Sequence, residues 1–217
     1  MSDLNSQLKT IAGSNETAML KVVTVLRSGG EFKRSHVEKI KAMAERHITH
    51  EFLFICLTDS ASEEYDIPLV HNWPRWWAKM EMFNIQGPAI FFDLDTIITG
   101  NIDDIIESLK DEEFVTLRDA YRRGSNIGSG IMSWSKDISY LYHAFEKDAG
   151  EFMRKLRGDQ DFIQKTVKQN TFIQDYSREI VSFKADIGHG NQYNKEKHKI
   201  VFFHGLPRPW SQDIIDY

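Results

Sequence analysis

The chain has 217 residues, 41% hydrophobic, 12% aromatic and 27% charged, with a formal net charge of -5. That composition is enough for one domain, or one domain with appendages, around a real core. It excludes broad nucleic-acid binding, which needs a dense positive field, and no apolar run approaches the ~20 residues that cross a bilayer.

The one cysteine, Cys56, sits in the apolar run 52–57 and reads as a buried core thiol in a reducing compartment. The first residues lack a basic-then-apolar signal layout, so a cytoplasmic location is expected. Residues 1–19 are polar and read as a loosely ordered lead-in. Residues 20–217 contain no repeat and no Pro/Gly-rich linker, which predicts a single domain there.

Residues 20–26 are rich in β-branched side chains, with Lys21 the only charge, the pattern of a strand buried on both faces. The loop Arg27-Ser28-Gly29-Gly30 follows. Val37, Ile40, Ala44 and His47 make one stripe of a helix over 35–47, with Ser35 as its N-cap. A second strand over 51–57 completes a strand–helix–strand unit, which predicts a parallel α/β sheet. Residues 76–83 read as a helix on which Arg75 and Lys79, four apart, share a face. Residues 89–92 form a third strand that ends in Asp93-Leu94-Asp95. A helix over 102–109, strands over 114–117 and 130–134, a helix around Ile138, Leu141, Tyr142 and Phe145, and a helix over 159–169 come next. The last strands are 180–183 and 200–203, and the proline-bearing tail from Gly205 reads as a wrapping loop.

Two clusters carry chemistry. Asp93 and Asp95 directly follow a buried strand, where open α/β sheets bind ligands, and their mutual repulsion calls for a cation between or beyond them. His204 ends the strand 200–203 and is followed by Gly205 and by Arg208 between two prolines. An imidazole with two carboxylates suits Mn²⁺ better than a site for Ca²⁺, and Arg208 can grip a phosphate with a bidentate fork. Asp93 and Asp95 also read as a turn or helix-cap pair, and His204 as a core histidine.

Taken together, WWAKMEMFNIQGPAIFFDLDTIITGNIDDI (76–105), the Asp159-Gln160-Asp161 run and the ending FFHGLPRPW resemble GT-A glycosyltransferases of the family 8 and glycogenin-like kind, in their short bacterial or phage form. The resemblance spans about residues 20–210. It implies a single Rossmann-like α/β domain with a mixed, mostly parallel sheet flanked by helices. It implies a hexosyltransferase type of enzyme that moves a sugar from a nucleotide-sugar, a UDP-sugar, to a glycan or other small acceptor, with retention and with Mn²⁺ or Mg²⁺. Asp93, Asp95 and His204 would hold the metal, and Asp93 would also touch the ribose. Lys79 and Arg208 would neutralise the diphosphate. Arg27, Ser28 and the rest of the loop 26–31 would hold base and ribose, and Asp159 and Gln160 would lie beside the reacting sugar carbon or the acceptor.

The sequence departs from the family at Ile127-Gly128-Ser129-Gly130, where Gly128 replaces an asparagine; Asn126 lies two positions earlier. This bears on the sugar-hydroxyl contacts. For Asp161, helix capping competes with function. Trp73, Trp76 and Trp77 read as core and cleft wall, any of them able to stack on a sugar or base. Arg118 and Asp119 suggest a structural ion pair, and Arg122 to Ser125 an exposed loop able to act as a lid. His36, His47, His50, His71, His143, His189 and His198 show no ligand spacing. Two other readings stand: FFDLDTIITG also resembles the motif of haloacid-dehalogenase-type phosphatases, with Asp93 as nucleophile, and a non-catalytic nucleotide-sugar-binding module would keep the same site.

Overall fold

The computed structural model describes residues 19–122, 124–168, 170–188 and 193–211. All of the lead-in 1–19 but Met19, the chain end beyond 211, and His189 lie outside these residues. The apolar stretch at 20 forms β1 (Leu20–Leu26), followed by α1 (Arg34–His47) and β2 (Phe52–Thr58). β1 and β2 pair in parallel along their whole lengths, Leu20 opposite Phe52 through Leu26 opposite Thr58. β3 (Asp66–Pro68) continues in parallel beyond β2, and β4 (Ala89–Phe92) adds in parallel on the other side of β1.

β5 (Thr96–Ile98) leaves this sheet, and α2 (Asp103–Leu109) leads to β6 (Phe114–Arg118) and β7 (Ile127–Trp134). β7 lies antiparallel to β4, and β6 antiparallel to β7, so the order is β3-β2-β1-β4-β7-β6 with three of its five pairings parallel. The mixed, mostly parallel sheet expected from the sequence is therefore present. Helices α3 (Tyr140–Glu146), α4 (Ala149–Lys155) and α5 (Asp159–Thr166) follow, then β8 (Ile180–Ser182) and β9 (Ile200–Phe202). A second sheet, β5-β9-β8, pairs Thr96 with Phe202 across β5 and β9.

Strand alternation divides the core. Val23, Ile55 and Phe91 point to one face, against Trp77, Phe83, Phe145 and Phe162. Val22, Phe54 and Phe92 point to the other, against Val37 and Ile40 of α1 and Ile105 of α2. Cys56 is fully buried, and that burial pushes its thiol up to about 12, as befits an inert core group. Among the described residues no helix is long and apolar enough to cross a membrane.

Several local expectations are corrected. α1 starts at Arg34 with Lys33 at the cap, so Ser35 lies inside the helix; the His36 imidazole Nδ1 accepts the Lys33 N–H at 2.9 Å and closes the first turn. His36, assigned no role from sequence, also stacks on Trp210 with ring centroids 4.3 Å apart. The segment at 76–83 is a 3-10 helix, Arg75–Asn84. In that tighter helix the i,i+3 side chains eclipse, so Trp76 rather than Arg75 stands in line with Lys79. The tail is not all loop: after Gly205, at φ 68, it makes a short 3-10 turn, Pro209–Ser211, with Trp210 against Phe32 and His36. The last sequence-predicted helix stops at Thr166, and the strands β3 and β5 were not anticipated at all.

Candidate active site

The chain leaves β1 toward β2 and β3 on one side and resumes at β4 on the other, so the connections at the carboxyl ends of β1 and β4 diverge. Such a switch point opens a crevice by topology alone. Here it is a cleft of about 1050 Å³, lined by Arg27, Ser28, Lys79, Asp93, Asp95, Asp159, Gln160, His204 and Arg208. All nine residues singled out in the sequence are thus brought to one cavity.

The floor is a charged cluster. The Lys79 ammonium lies 3.0 Å from Asp93 Oδ2 and 3.1 Å from Asp159 Oδ2. Arg208 pairs with Asp95 and, through Nε at 3.0 Å and Nη2, with Glu31. Two cations therefore face four carboxylates, an excess of two negative charges when all are ionised. Burial, and then the Asp93 charge, push Asp95 up to about 7; burial raises Asp93 as well, against the pull of Lys79. Burial alone would lower Lys79, but Asp159 and Asp93 outweigh it and raise it. Asp159 Oδ2 is buried, with the Lys79 ammonium as its partner.

The turn that holds the two aspartates is built by backbone. Asp93 N–H donates to Gly130 O at 2.8 Å and Thr96 N–H donates to Asp93 O at 2.9 Å. His204 reaches the same cleft because β9, the strand before it, pairs with β5, the strand after Asp95. Its Nε2 is 2.8 Å from Ser182 Oγ, and Tyr121 meets its ring edge-on at 4.7 Å. Burial, and then the nearby Lys184 charge, lower its pKa, which keeps the imidazole neutral near pH 7.

A divalent cation would match this chemistry: an excess of two negative charges, a carboxylate pushed toward neutrality, and a neutral imidazole. Asp93 and Asp95 both line the cleft, each paired with a cation, Lys79 or Arg208. His204 is not yet gathered with them: among the described residues no three His, Cys, Asp or Glu side chains stand together as a metal set. The imidazole spends Nε2 on Ser182 instead.

The remaining residues shape the walls. Ser28 donates from N (2.8 Å) and Oγ (2.6 Å) to Asp59, which also pairs with Arg27 at 3.0 Å; Arg27 further reaches Asn72. Gln160 Nε2 donates to Asp119 Oδ2 at 2.9 Å, and Asp119 also accepts the N–H groups of Tyr121 and Arg122. Asp161 Oδ2 accepts the Arg157 N–H at 3.3 Å, in the chain just before α5, and makes no cap to the helix itself. Arg118 lines the cleft and pairs with Asp175 at 2.6 Å rather than with Asp119, lying over the Phe172 ring. Gly128 lines the cleft, whereas the Asn126 amide is turned to Arg122 O at 2.6 Å and does not take the place of the missing asparagine.

Sequence reasoning missed Asp59 and Asn72, and it placed Glu31 in the loop 26–31 without its pairing to Arg208. Asp59 directly follows β2, so the rule that pointed to Asp93, an acid at the carboxyl end of a parallel strand, was available for it too. Glu31 and Asn72 carry no such signal.

The Asp95 shift has a measurable consequence. A native pKa above the unfolded value of 3.8 means that the folded protein holds the proton more tightly. The associated stability is complete below that unfolded value and is lost as pH rises to about 7. Urea unfolding in chelator at a series of pH values should therefore show Asp95→Asn gaining on the wild type as pH rises from 4 to 7, by up to a few kcal/mol at ~1.4 kcal/mol per pK unit. A constant difference across that window would refute the shift.

No family model matches the sequence, and no curated protein matches it. Solved structures do. Glycosyltransferase GlyE of Streptococcus pneumoniae TIGR4 superposes with a TM-score of 0.66 at 16% identity, over 91% of this chain and 57% of that one. A glycosyltransferase involved in the glycosylation of the major capsid of PBCV-1 gives 0.53 at 14% identity, over 85% and 93%. Mouse xyloside xylosyltransferase 1 gives 0.54 at 13%, over 88% and 99%. The chain thus spans just over half the length of GlyE and nearly the whole of the other two. At these identities the likeness establishes a shared fold.

Proposed function

We propose that the protein is a glycosyltransferase that moves a sugar, a hexose, from a UDP-sugar to an acceptor with retention, using Mn²⁺ held by Asp93, Asp95 and His204. The observation that carries this is the cluster of four carboxylates and two cations at the switch point of a fold shared with glycosyltransferases. Asp93 and Asp95 would provide the carboxylates, and His204, whose Nε2 lies 2.8 Å from Ser182 Oγ, would be the third ligand. A bound divalent cation supplies neutralisation of the diphosphate as it leaves.

The protein's own groups do the rest. Lys79, fixed at the cleft floor, stabilises phosphate charge. Arg208 exchanges its Asp95 contact for a phosphate oxygen while Glu31 keeps its other edge. Arg27 and Ser28, fixed by Asp59, border the nucleoside. Asp159 and Gln160 open α5 and face the anomeric carbon, where positive charge develops as the bond to phosphate breaks. The acceptor oxygen forms the new bond, and its proton goes to the departing phosphate.

Thermal stability against a panel of nucleoside diphosphates, with and without Mn²⁺, tests the reading. A ligand at 100 times its Kd adds about 2.7 kcal/mol. A UDP shift that requires Mn²⁺ is expected; no shift with any nucleotide would sink the proposal. Release of UDP from a UDP-sugar separates an enzyme from a binding module, and hydrolysis of a generic phosphomonoester would favour the phosphatase. Replacing His204 with alanine should weaken Mn²⁺ affinity about tenfold or more yet leave nucleotide contact, measured by calorimetric titration. An unchanged Mn²⁺ affinity would leave His204 a structural partner of Ser182.

A further inference from the structure

Each cation on the floor of the cleft already has an acid. Lys79 holds Asp93 and Asp159, and Arg208 holds Asp95 and Glu31. On the walls, Arg27 pairs with Asp59, Arg118 with Asp175 and Arg122 with Asp119. Lys184 is different. It is half-buried beside the cleft, and among the described residues no oxygen accepts from its ammonium. Asp186, the acid nearest to it in the chain, accepts the Ser182 N–H at 2.7 Å instead. A half-desolvated ammonium without a counter-ion costs the fold stability, and an anion in the cleft would offset that cost.

The lysine is nonetheless held in place. β8 and β9 pair in parallel with Ser182 opposite Phe202, so the chain leaves both strands at the same end. β9 leads to His204 and β8 to Lys184. A single π-helical turn, Phe183–Ile187, carries Lys184, a local widening of the helix that recurs at functional sites. Ser182 Oγ caps the turn by accepting the Ala185 N–H at 3.0 Å, and Phe183 stacks on Phe203 with ring centroids 4.5 Å apart. Lys184 Nζ then meets Gly205, where a Cβ would stand 3.4 Å from it. Gly205 lines the cleft between His204 and Arg208, so the ammonium lies against the cleft wall at a residue with no side chain to screen it.

The nucleoside diphosphate of the proposed reaction gains negative charge as its bond to the sugar breaks, and a cation with no other partner is the group best able to meet it. We infer that Lys184 is a further catalytic residue: its ammonium hydrogen-bonds the terminal phosphate of the departing nucleoside diphosphate beside Gly205. The carbon–oxygen bond breaks with its electron pair left on that phosphate, which also receives the acceptor's proton; Lys184 keeps its own protons. This rests on the glycosyltransferase reading, which by itself assigns the diphosphate to Lys79 and Arg208 only.

The test compares the full-length wild type with Lys184→Met and Lys184→Arg, in Mn²⁺, by calorimetric titration of UDP, UMP and pyrophosphate. In Lys184→Met the UDP affinity should fall about tenfold or more. The UMP affinity, with no terminal phosphate to lose, should change less than about twofold, and Lys184→Arg should recover most of the UDP affinity. Release of UDP from a UDP-sugar should lose about tenfold in kcat, with KM within about threefold. Without ligand, the melting temperature of Lys184→Met should match or exceed that of the wild type, because no partner is lost. A lower melting temperature would reveal a structural ion pair and overturn the inference. So would equal losses for UDP and UMP, and so would an unchanged UDP affinity in Lys184→Met, which leaves the transferase reading standing. A wild type that binds no nucleotide would sink the transferase reading. Pyrophosphate binding that Lys184→Met loses would then keep Lys184 as a phosphate contact, and no pyrophosphate binding at all would overturn both.

Discussion

Asp95→Ala is expected to abolish metal-dependent donor binding and lower kcat/KM about a thousandfold or more, ~4 kcal/mol of transition-state stabilisation, while leaving the fold intact. The separation of the two effects comes from the geometry. The turn that carries Asp95 is closed by backbone, through Asp93 N–H to Gly130 O and Thr96 N–H to Asp93 O, and needs nothing from the Asp95 side chain. The carboxylate is a cost to the fold: buried, beside Asp93, and pushed up to about 7. Arg208 keeps Glu31 as a partner when Asp95 is gone. Circular dichroism should stay as in the wild type and any loss of stability read from the melting temperature should not exceed about 1 kcal/mol, while the stabilisation by UDP and Mn²⁺ disappears. Full activity in this variant would remove Asp95 from the site.

Lys79→Met should do the reverse and act on stability first. The side chain is buried, its ammonium lies between Asp93 and Asp159, and methionine matches its volume without its charge. The buried Asp159 and the partly exposed Asp93 would lose their counter-ion, a loss of about 3 kcal/mol and roughly 10 °C in melting temperature for a chain of this size. The loss should be larger at pH 8 than at pH 5. Burial already raises Asp93, and without Lys79 it takes up a proton more readily still, which removes the unpaired charge on acidification. Differential scanning calorimetry across that range decides it; a melting temperature equal to wild type at pH 8 would mean that Lys79 does not neutralise the pair.

What the sequence determined follows from local physics. A seven-residue run with four consecutive β-branched side chains and a single charge has the pattern of a buried strand, so β1 was legible, and with it the parallel α/β class. Asp93, Asp95 and His204 were legible as ends of apolar strands, because carboxyl ends of such strands face ligand crevices. Motif order then gathered Lys79, Asp159, Gln160 and Arg208 into one hypothesis, and one cleft does hold them all.

The tertiary structure alone decided the rest. That β4 lies beside β1, which makes the crevice, depends on backbone pairing between distant segments and leaves no trace in either one. The β5–β9 pairing that carries His204 toward Asp95 is of the same kind, as are the contacts of Arg208 with Asp95 and Glu31, 113 and 177 residues away. Helix type at 75–84 was also beyond local reading. Apolar spacing of three and four suits both helices, and only the packing of Trp77, Met80 and Phe83 against the sheet settled on the tighter one, placing Trp76 over Lys79. Periodicity is a property of neighbours in the chain. Which strand lies next to which, and which charge meets which, is set by burial and hydrogen bonding summed over the whole molecule.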